Sequence, residues 1–413
     1  MSNKAIDRVK YWGQLLGLPI YWLSFCVPRK KNIWLFGSTF GRRFADNPRY
    51  LYLYASQHRD EIRMKNGQAV RPVWISHKKE IVEFLKENGY EAYYYHSLKG
   101  IWYCLRGSIY IFDNYSKDIS FWLSGGAVKF NLWHGSGNKK TNYDNKFDKV
   151  RHPKNLWEKF KYFPRRLSDE KPGHYTLATG PMMADIFVSA FHTTKDHIMQ
   201  DGYPRNDMLF QTDYQNLLSG EETDTLREMQ EKKKAGNKIL VYMPTFRESE
   251  NLFFQTMDLK KFSDYLKKNN YYFFTKLHPK SKLKEKFSEI HYDNIQNIGA
   301  DVDPYTFLKE CDLLVTDYSS IYSDYLMLNR PSVLFPYDFE EYSKDTRECY
   351  FPYEEYMPEV RAYTMDELME QITIVMQNDT CAEGRKKLKD RIFAYTDGES
   401  AKRLCKKIRD ELL

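Results

Sequence analysis

The stretch KFNLWHGSGNKK, residues 129–140, runs from apolar residues straight into a histidine and then a basic, glycine-rich loop. An imidazole titrates at about 6.5 when unperturbed, so His134 is suited to taking a proton from a hydroxyl at neutral pH. Gly135 and Gly137 let backbone approach a ligand closely. Ser136 belongs to the same loop, and Lys139 and Lys140 add charge that suits an anionic substrate. A lone histidine is more often a hydrogen-bonded structural residue; the composition of this loop favours chemistry.

A second constellation lies further along. In VTDYSSIYSDY, Leu313–Thr316 reads as a buried strand and Asp317–Tyr318 as a turn. Ser319 or Ser320 is then an N-cap for a following helix. A helix start can hold phosphate through its free N–H groups, but one exposed end contributes only about 0.3–1 kcal/mol. Other donors are therefore needed, since plain N-capping is the alternative. FTKLHPK supplies Lys276, His278 and Lys280 at a strand end, with Pro279 stopping the strand. MPTFRE supplies Thr245 and Arg247 at another. Three strand ends of one sheet converge on phosphate chemistry. Asp113, Asp317 and Asp324 are isolated carboxylates without a D-x-D pair, so no metal site is expected, and Asp317 and Asp324 are assigned supporting roles. P-loop, G-x-S-x-G and kinase signatures are missing from the sequence. No cofactor is indicated, and a magnesium requirement is left open.

These loops need strands to carry them. KNIWLFGSTFGRRFADNPRYLYLYAS reads as strand, Gly-rich loop and helix. The pattern repeats with a strand around 72–76, a helix around 79–88 and a short strand at 91–95, followed by SIYIFDN and AVKFNLWHGSG. A second series begins after Gly202 with NKILVYMPTFRE, NNYYFFTKLHPK, CDLLVTDYSSIYSDYLMLN and RPSVLFPYD. Strands alternating with helices predict parallel α/β sheets, and ligands sit at the carboxyl ends of such strands. The expected fold is two Rossmann-like domains facing a cleft. The expected divisions are a membrane-interface segment (1–31), an acceptor-side domain (32–200), a donor-binding domain (201–395) and a C-terminal amphipathic helix (396–413). DGYPRNDML, residues 201–209, reads as the junction.

The chain has 413 residues, too many for one ordinary core. Its charge of +7 favours anionic partners but is spread along the sequence, and no nucleic-acid signature accompanies it. Six cysteines, none at C-x-x-C spacing, argue against zinc or a disulfide framework and for a reducing compartment. Near the N-terminus, the apolar run from Tyr11 to Val27 is short and interrupted by Gly13, Gln14, Gly17, Pro19 and Ser24, so a spanning helix is not expected. No cleavage pattern of a secretory signal follows. Tyr11, Trp12, Tyr21 and Trp22 prefer a headgroup layer. Lys4, Arg8 and Lys10 precede the run, and Arg29, Lys30 and Lys31 follow it. The expectation is an amphipathic membrane-associating anchor attracted to anionic lipid; packing on the protein's own body is the alternative.

Taken in order, LWHGSGNKK, GYPRNDML, VYMPTFRE, TKLHPK, TDYSSIYSDYLMLNRPSVLFPYDFEEY and YTDGESAKRL span Leu132 to Leu404, about two thirds of the chain. This set resembles the CDP-glycerol glycerophosphotransferase family, the teichoic acid polymerases and primases of bacterial envelopes. The resemblance implies a GT-B-like pair of domains, peripheral at the cytoplasmic face of the cell membrane. It also implies transfer of a polyol phosphate from CDP-glycerol or CDP-ribitol to a lipid-linked or glycan acceptor in teichoic acid or capsule synthesis. By the same resemblance His134 matches a proposed catalytic base. His278 matches a histidine near the donor pyrophosphate, and Ser319 and Ser320 match the helix start that contacts the phosphates. Ser136–Gly137–Asn138 departs from the Thr-Pro-Leu common in the family. The chain looks more like a compact primase or capsule enzyme than a large polymerase. Two other readings are a GT-B glycosyltransferase using a nucleotide sugar and a non-catalytic nucleotide- or lipid-binding member. Nucleic acid is not an expected partner.

Overall fold

The protein is described here from a computed structural model covering residues 11–247, 257–278, 281, 292–339 and 348–410. Lys4, Arg8, Lys10, Pro279, Lys280 and the EEY of the DFEEY motif lie outside the described residues. The chain divides into two units. The first comprises residues 1–134, 141–216 and 394–413, and the second residues 135–140 and 217–393.

Seven parallel strands build the first unit: β1 (Lys30–Phe36), β2 (Arg71–Ser76), β3 (Ala92–Tyr94), β4 (Gly107–Phe112), β5 (Val128–Asn131), β6 (Tyr175–Leu177) and β7 (Ile198–Met199). Their order is β3-β2-β1-β4-β5-β6-β7. Trp34, Leu35 and Phe36 of β1 and Ile109, Tyr110, Ile111 and Phe112 of β4 are fully buried. That is why these segments read as unbroken apolar runs: a parallel sheet is covered on both faces. Chain order reverses between β1 and β4, which makes the crevice beyond their carboxyl ends the switch point where ligands bind in such sheets.

Helices used below are α1 (Leu18–Ser24), α2 (Asp46–Gln57), α3 (Leu156–Lys161) and α4 (Phe163–Asp169). Around α1, Leu16, Trp22, Leu23 and Phe25 expose at least half of their surface, and on α3 so do Leu156, Trp157 and Phe160. The two regions meet: Trp12 packs on Phe160 at 4.8 Å, and Tyr11 Oη donates to the Lys161 carbonyl at 2.8 Å. Among the described residues no helix is long and apolar enough to cross a membrane.

In the second unit six parallel strands, β8 (Lys238–Tyr242), β9 (Tyr271–Thr275), β10 (Ile295–Asn297), β11 (Leu313–Thr316), β12 (Ser332–Leu334) and β13 (Val360–Arg361), take the order β10-β9-β8-β11-β12-β13. Leu240, Phe273, Leu313, Val315 and Val333 enter one core with Phe262 and Leu266 of a covering helix. Here the switch point falls between β8 and β11, the strands that deliver Thr245, Arg247 and Asp317.

The domain limits differ from the sequence expectation. The boundary expected at 200/201 falls at 216/217, and GYPRNDML is interior to the first unit. The C-terminal helix (Ser400–Asp410) joins that unit instead of standing apart, and residues 135–140 belong to the second. The physical reason is Asp207. Its buried carboxylate accepts the Ser400 and Ala401 N–H groups at 2.9 and 2.8 Å, so the GYPRNDML and DGESAKRL motifs are two halves of one helix cap. Asp207→Ala is expected to lower stability by about 1–2 kcal/mol and to raise hydrogen exchange selectively in the C-terminal helix. Unchanged exchange there contradicts the cap.

Candidate active site

β5 ends through its own last residue. The Asn131 side-chain oxygen accepts the Trp133 N–H at 2.8 Å, an Asx turn that stops the strand. Trp133 then takes a left-handed φ of 51°, rare for a bulky residue, and is buried against Phe191 at 4.8 Å. The turn is clamped from α2 and from GYPRNDML. Asn47 Nδ2 donates to the Leu132 and Trp133 carbonyls at 3.2 and 2.9 Å. Arg205 Nη1 donates to the His134 carbonyl at 3.0 Å and to Asp46 Oδ1 at 2.8 Å. Three successive carbonyls are thus fixed, and the strain at Trp133 is carried by packing and hydrogen bonds.

This clamp aims His134. The imidazole is exposed, and its Nδ1 lies 3.0 Å from the Asp113 carbonyl at the end of β4. A carbonyl oxygen can only accept, so Nδ1 carries the proton and Nε2 is the acceptor of the neutral ring. Asp113 is held in turn: its buried carboxylate accepts Ser38 Oγ at 2.5 Å, the Thr39 N–H at 3.1 Å and Asn114 Nδ2 at 2.6 Å. Burial, and then Asp46, raises the Asp113 carboxyl; burial and Asp113 push neighbouring Asp118 well up. Left-handed φ values recur at Thr39, Phe40 and Asp46, so strain gathers around this end of the sheet.

The chain leaves the first unit at His134 and enters the second at Gly135. Within the second unit the 135–140 loop is tied down at every step. The Ser136 carbonyl accepts Ser323 Oγ at 2.8 Å and Tyr356 Oη at 2.5 Å. Asn138 exchanges side-chain hydrogen bonds with the Phe351 backbone at 2.9 Å, and Lys140 Nζ pairs with Glu348 at 2.8 Å. Gly135 and Gly137 approach Ser320 closely: a Cβ at either would meet its side chain at 3.2 Å. Lys140 is therefore spent on Glu348, whereas Lys139 lies over the Tyr318 ring at 5.8 Å.

At the β8/β11 switch point, Asp317 organises the turn. It is fully buried and accepts the Thr245 N–H at 2.9 and 3.1 Å and Arg247 Nη1 at 2.6 Å. Arg247 also forks onto Asp338, and these two carboxylates keep it charged despite burial. Its guanidinium neutralises a buried pair and orients the turn. Beside it, a small recess is lined by Thr245, Phe246, Arg247, Leu277, His278 and Tyr337. Thr245 Oγ1 is buried there without a hydrogen-bond partner among the described residues. His278 is exposed, with its ring 5.0 Å from Phe246.

Two sequence expectations are corrected. Neither Ser319 nor Ser320 caps the helix that follows, α5 (Ile321–Tyr325), through a side chain. Ser320 has a helical φ of −66° and ψ of −15°, whereas a capping side chain needs an extended residue to reach back to the N–H groups. Lys276 donates to the Gly299 and Ala300 carbonyls at 2.7 and 2.8 Å, a loop tie and not an open phosphate donor. Asp324, on α5 itself, is buried and accepts Tyr305 Oη at 2.6 Å. Asn131, Asn47 and the Asp113 carbonyl were missed. Their only sequence signals were an asparagine ending a strand and another near a helix start. Arg205 stood inside a motif read as a junction.

A family model described as CDP-Glycerol:Poly(glycerophosphate) glycerophosphotransferase matches residues 20–410. The chain belongs to this family and is an enzyme. The structure of the wall teichoic acid polymerase TagF shares its fold, with a TM-score of 0.71 and 19% identity, covering 100% of this chain and 98% of that one. A teichoic acid glycerol-phosphate transferase of Staphylococcus aureus (strain NCTC 8325 / PS 47) is 24% identical over 396 residues, 92% of this chain and 93% of that protein. The teichoic acid ribitol-phosphate polymerase TarL of the same strain is 29% identical over 242 residues, 57% of this chain and 41% of its own length.

Arg247→Ala strands two buried carboxylates and is expected to cost about 3–5 kcal/mol of stability, with Arg247→Lys intermediate because an ammonium cannot fork. Thermal or denaturant unfolding measures this. A stable Arg247→Ala protein contradicts the organising role.

Proposed function

We propose that the protein transfers a polyol phosphate, glycerol phosphate first of all, from a CDP-activated donor to a hydroxyl of a lipid-linked or glycan acceptor. CMP is released, and the product is a teichoic acid or capsular polymer. The observation that carries this reading is the His134–Asp113 hydrogen bond, which leaves Nε2 of an exposed imidazole as a proton acceptor. In the step, the acceptor oxygen attacks the phosphorus bearing the polyol while its proton passes to Nε2. The bond from that phosphorus to the bridging oxygen breaks, and CMP departs with the electron pair. Preset donors that meet charge as it develops lower the barrier.

The donor diphosphate is assigned to the second unit, to His278, Thr245 Oγ1 and the backbone at Ser319–Ser320. Unpartnered Thr245 Oγ1 in the His278 recess supports this assignment. Arg247 and Asp317 position the turn, and Gly135, Ser136 and Lys139 form the loop nearest the base in sequence. The family match supports the CDP donor, and relatives named for glycerol phosphate and for ribitol phosphate make both polyols candidates. Exposed Leu16, Trp22, Leu23 and Phe25 support peripheral attachment to the cytoplasmic face of the membrane, where lipid-linked acceptors are met in two dimensions.

His134→Ala is expected to lower CMP release at least about a hundredfold while CDP binding persists. His278→Ala should raise the donor KM and lower kcat. Supplying CDP-glycerol and CDP-ribitol separately, with a lipid-linked acceptor, identifies the polyol. Near-normal turnover in His134→Ala, or release of UDP or GDP from a nucleotide sugar, contradicts the reading.

A further inference from the structure

A cleft in the first unit, apart from the residues assigned to catalysis, has two unlike walls. One wall is apolar: Leu18, Tyr21, Trp22 and Phe25 from α1 and the turn after it, with Phe121, whose ring stacks on Tyr21 at 4.8 Å. The rest of the lining is basic: Lys129 and Lys171, with the imidazoles of His174 and His197 beside them. Glu170 is the one carboxylate among the lining residues, and Arg166 already pairs with it at 2.6 Å. Lys129 Nζ reaches the Ser124 carbonyl at 3.2 Å, and no ion pair to Lys129 or Lys171 occurs among the described residues.

The cations crowd one another. Burial, then Arg29 and Lys171, pull the Lys129 ammonium down to about 8. Partial burial, then Lys129, His197 and Lys171, push His174 toward its neutral form. Arg29 is committed to four backbone carbonyls and relieves nothing. Two ammonium groups, Lys129 half-buried and Lys171 exposed, beside a carboxylate that is already engaged are complementary to an anion. The facing wall of rings and aliphatic carbon is complementary to hydrocarbon. Among the lining residues, Trp22 and Phe25 expose 65% and 50% of their surface.

We propose that this cleft seats the phosphate of an anionic lipid on Lys129 and Lys171, with the lipid's hydrocarbon lying along Leu18, Trp22 and Phe25. This extends the reading of the enzyme as one that works at a membrane on lipid-linked acceptors, and it rests on that reading. The cleft is distinct from the base. Lys129 lies on β5 and His134 five residues beyond it, at most about 18 Å along an extended chain. The lipid phosphate and the reacting hydroxyl are therefore held by different parts of one strand and its exit loop.

Flotation of the full chain with phosphatidylcholine vesicles, with and without phosphatidic acid, tests the proposal. The wild-type chain should bind the phosphatidic acid vesicles at least about tenfold more tightly, a difference of about 1.4 kcal/mol. Lys129→Gln and, at an exposed position that spares the fold, Lys171→Glu should each remove most of that preference. Trp22→Ser combined with Phe25→Ser should weaken binding to both vesicle types. Lys238→Glu, a charge change in the second unit, is the control, and an equal loss there reduces the effect to general charge and overturns the site. Soluble glycerol phosphate should not release the protein from vesicles; release would mean a free-phosphate site and overturns the lipid. His134→Ala run in parallel separates the two readings. It should lose CMP release and keep the vesicle preference, whereas cleft variants that bind vesicles like the wild type sink this proposal alone.

Discussion

One hydrogen bond, from His134 Nδ1 to the Asp113 carbonyl, gives the rest of the site its meaning. A neutral imidazole has one donor and one acceptor nitrogen, and this bond chooses between them. The choice holds only if the ring is kept where the carbonyl can receive it. Asn131 stops β5, Trp133 turns left-handed, Asn47 and Arg205 clamp the carbonyls on either side, and the Asp113 carboxylate is pinned by Ser38, Thr39 and Asn114. Each contact is individually worth about 0.5–1.5 kcal/mol, but they share one geometry and act together on one ring.

The second unit solves a related problem with charge. At its switch point Asp317 gathers the Thr245 N–H and Arg247 onto one buried carboxylate. Desolvating these charges costs several kcal/mol per ion and is offset only because every lobe of the guanidinium is engaged. The loop after His134 runs into this unit, where Ser323 and Tyr356 hold the Ser136 carbonyl. His134 and the His278 recess therefore belong to different units, and the chain passes from the first unit to the second at His134–Gly135.

Strands were legible because parallel sheets demand apolar runs. Arg71–Ser76, Gly107–Phe112 and Leu313–Thr316 fall where pattern alone puts them. The placing of His134, His278 and Thr245 just beyond strand ends was legible because each follows an apolar run. What was not legible depends on partners distant in sequence. Asn47 reaches Leu132 across 85 positions, and Asp207 caps a helix 193 positions away. The ion pairs of Arg247 were not legible because nothing local reveals that Asp317 and Asp338 close around it. The capping role of Ser320 failed because cap chemistry follows φ and ψ, and Ser320 is already helical.

The central claim is a statement about where one proton resides, and nitrogen NMR reads it directly. With 15N-labelled histidine, and His134→Gln to assign the resonance, the neutral His134 ring should show a protonated Nδ1 and an unprotonated Nε2. A ring carrying its proton on Nε2 has no acceptor to offer the hydroxyl, and that spectrum would contradict the account.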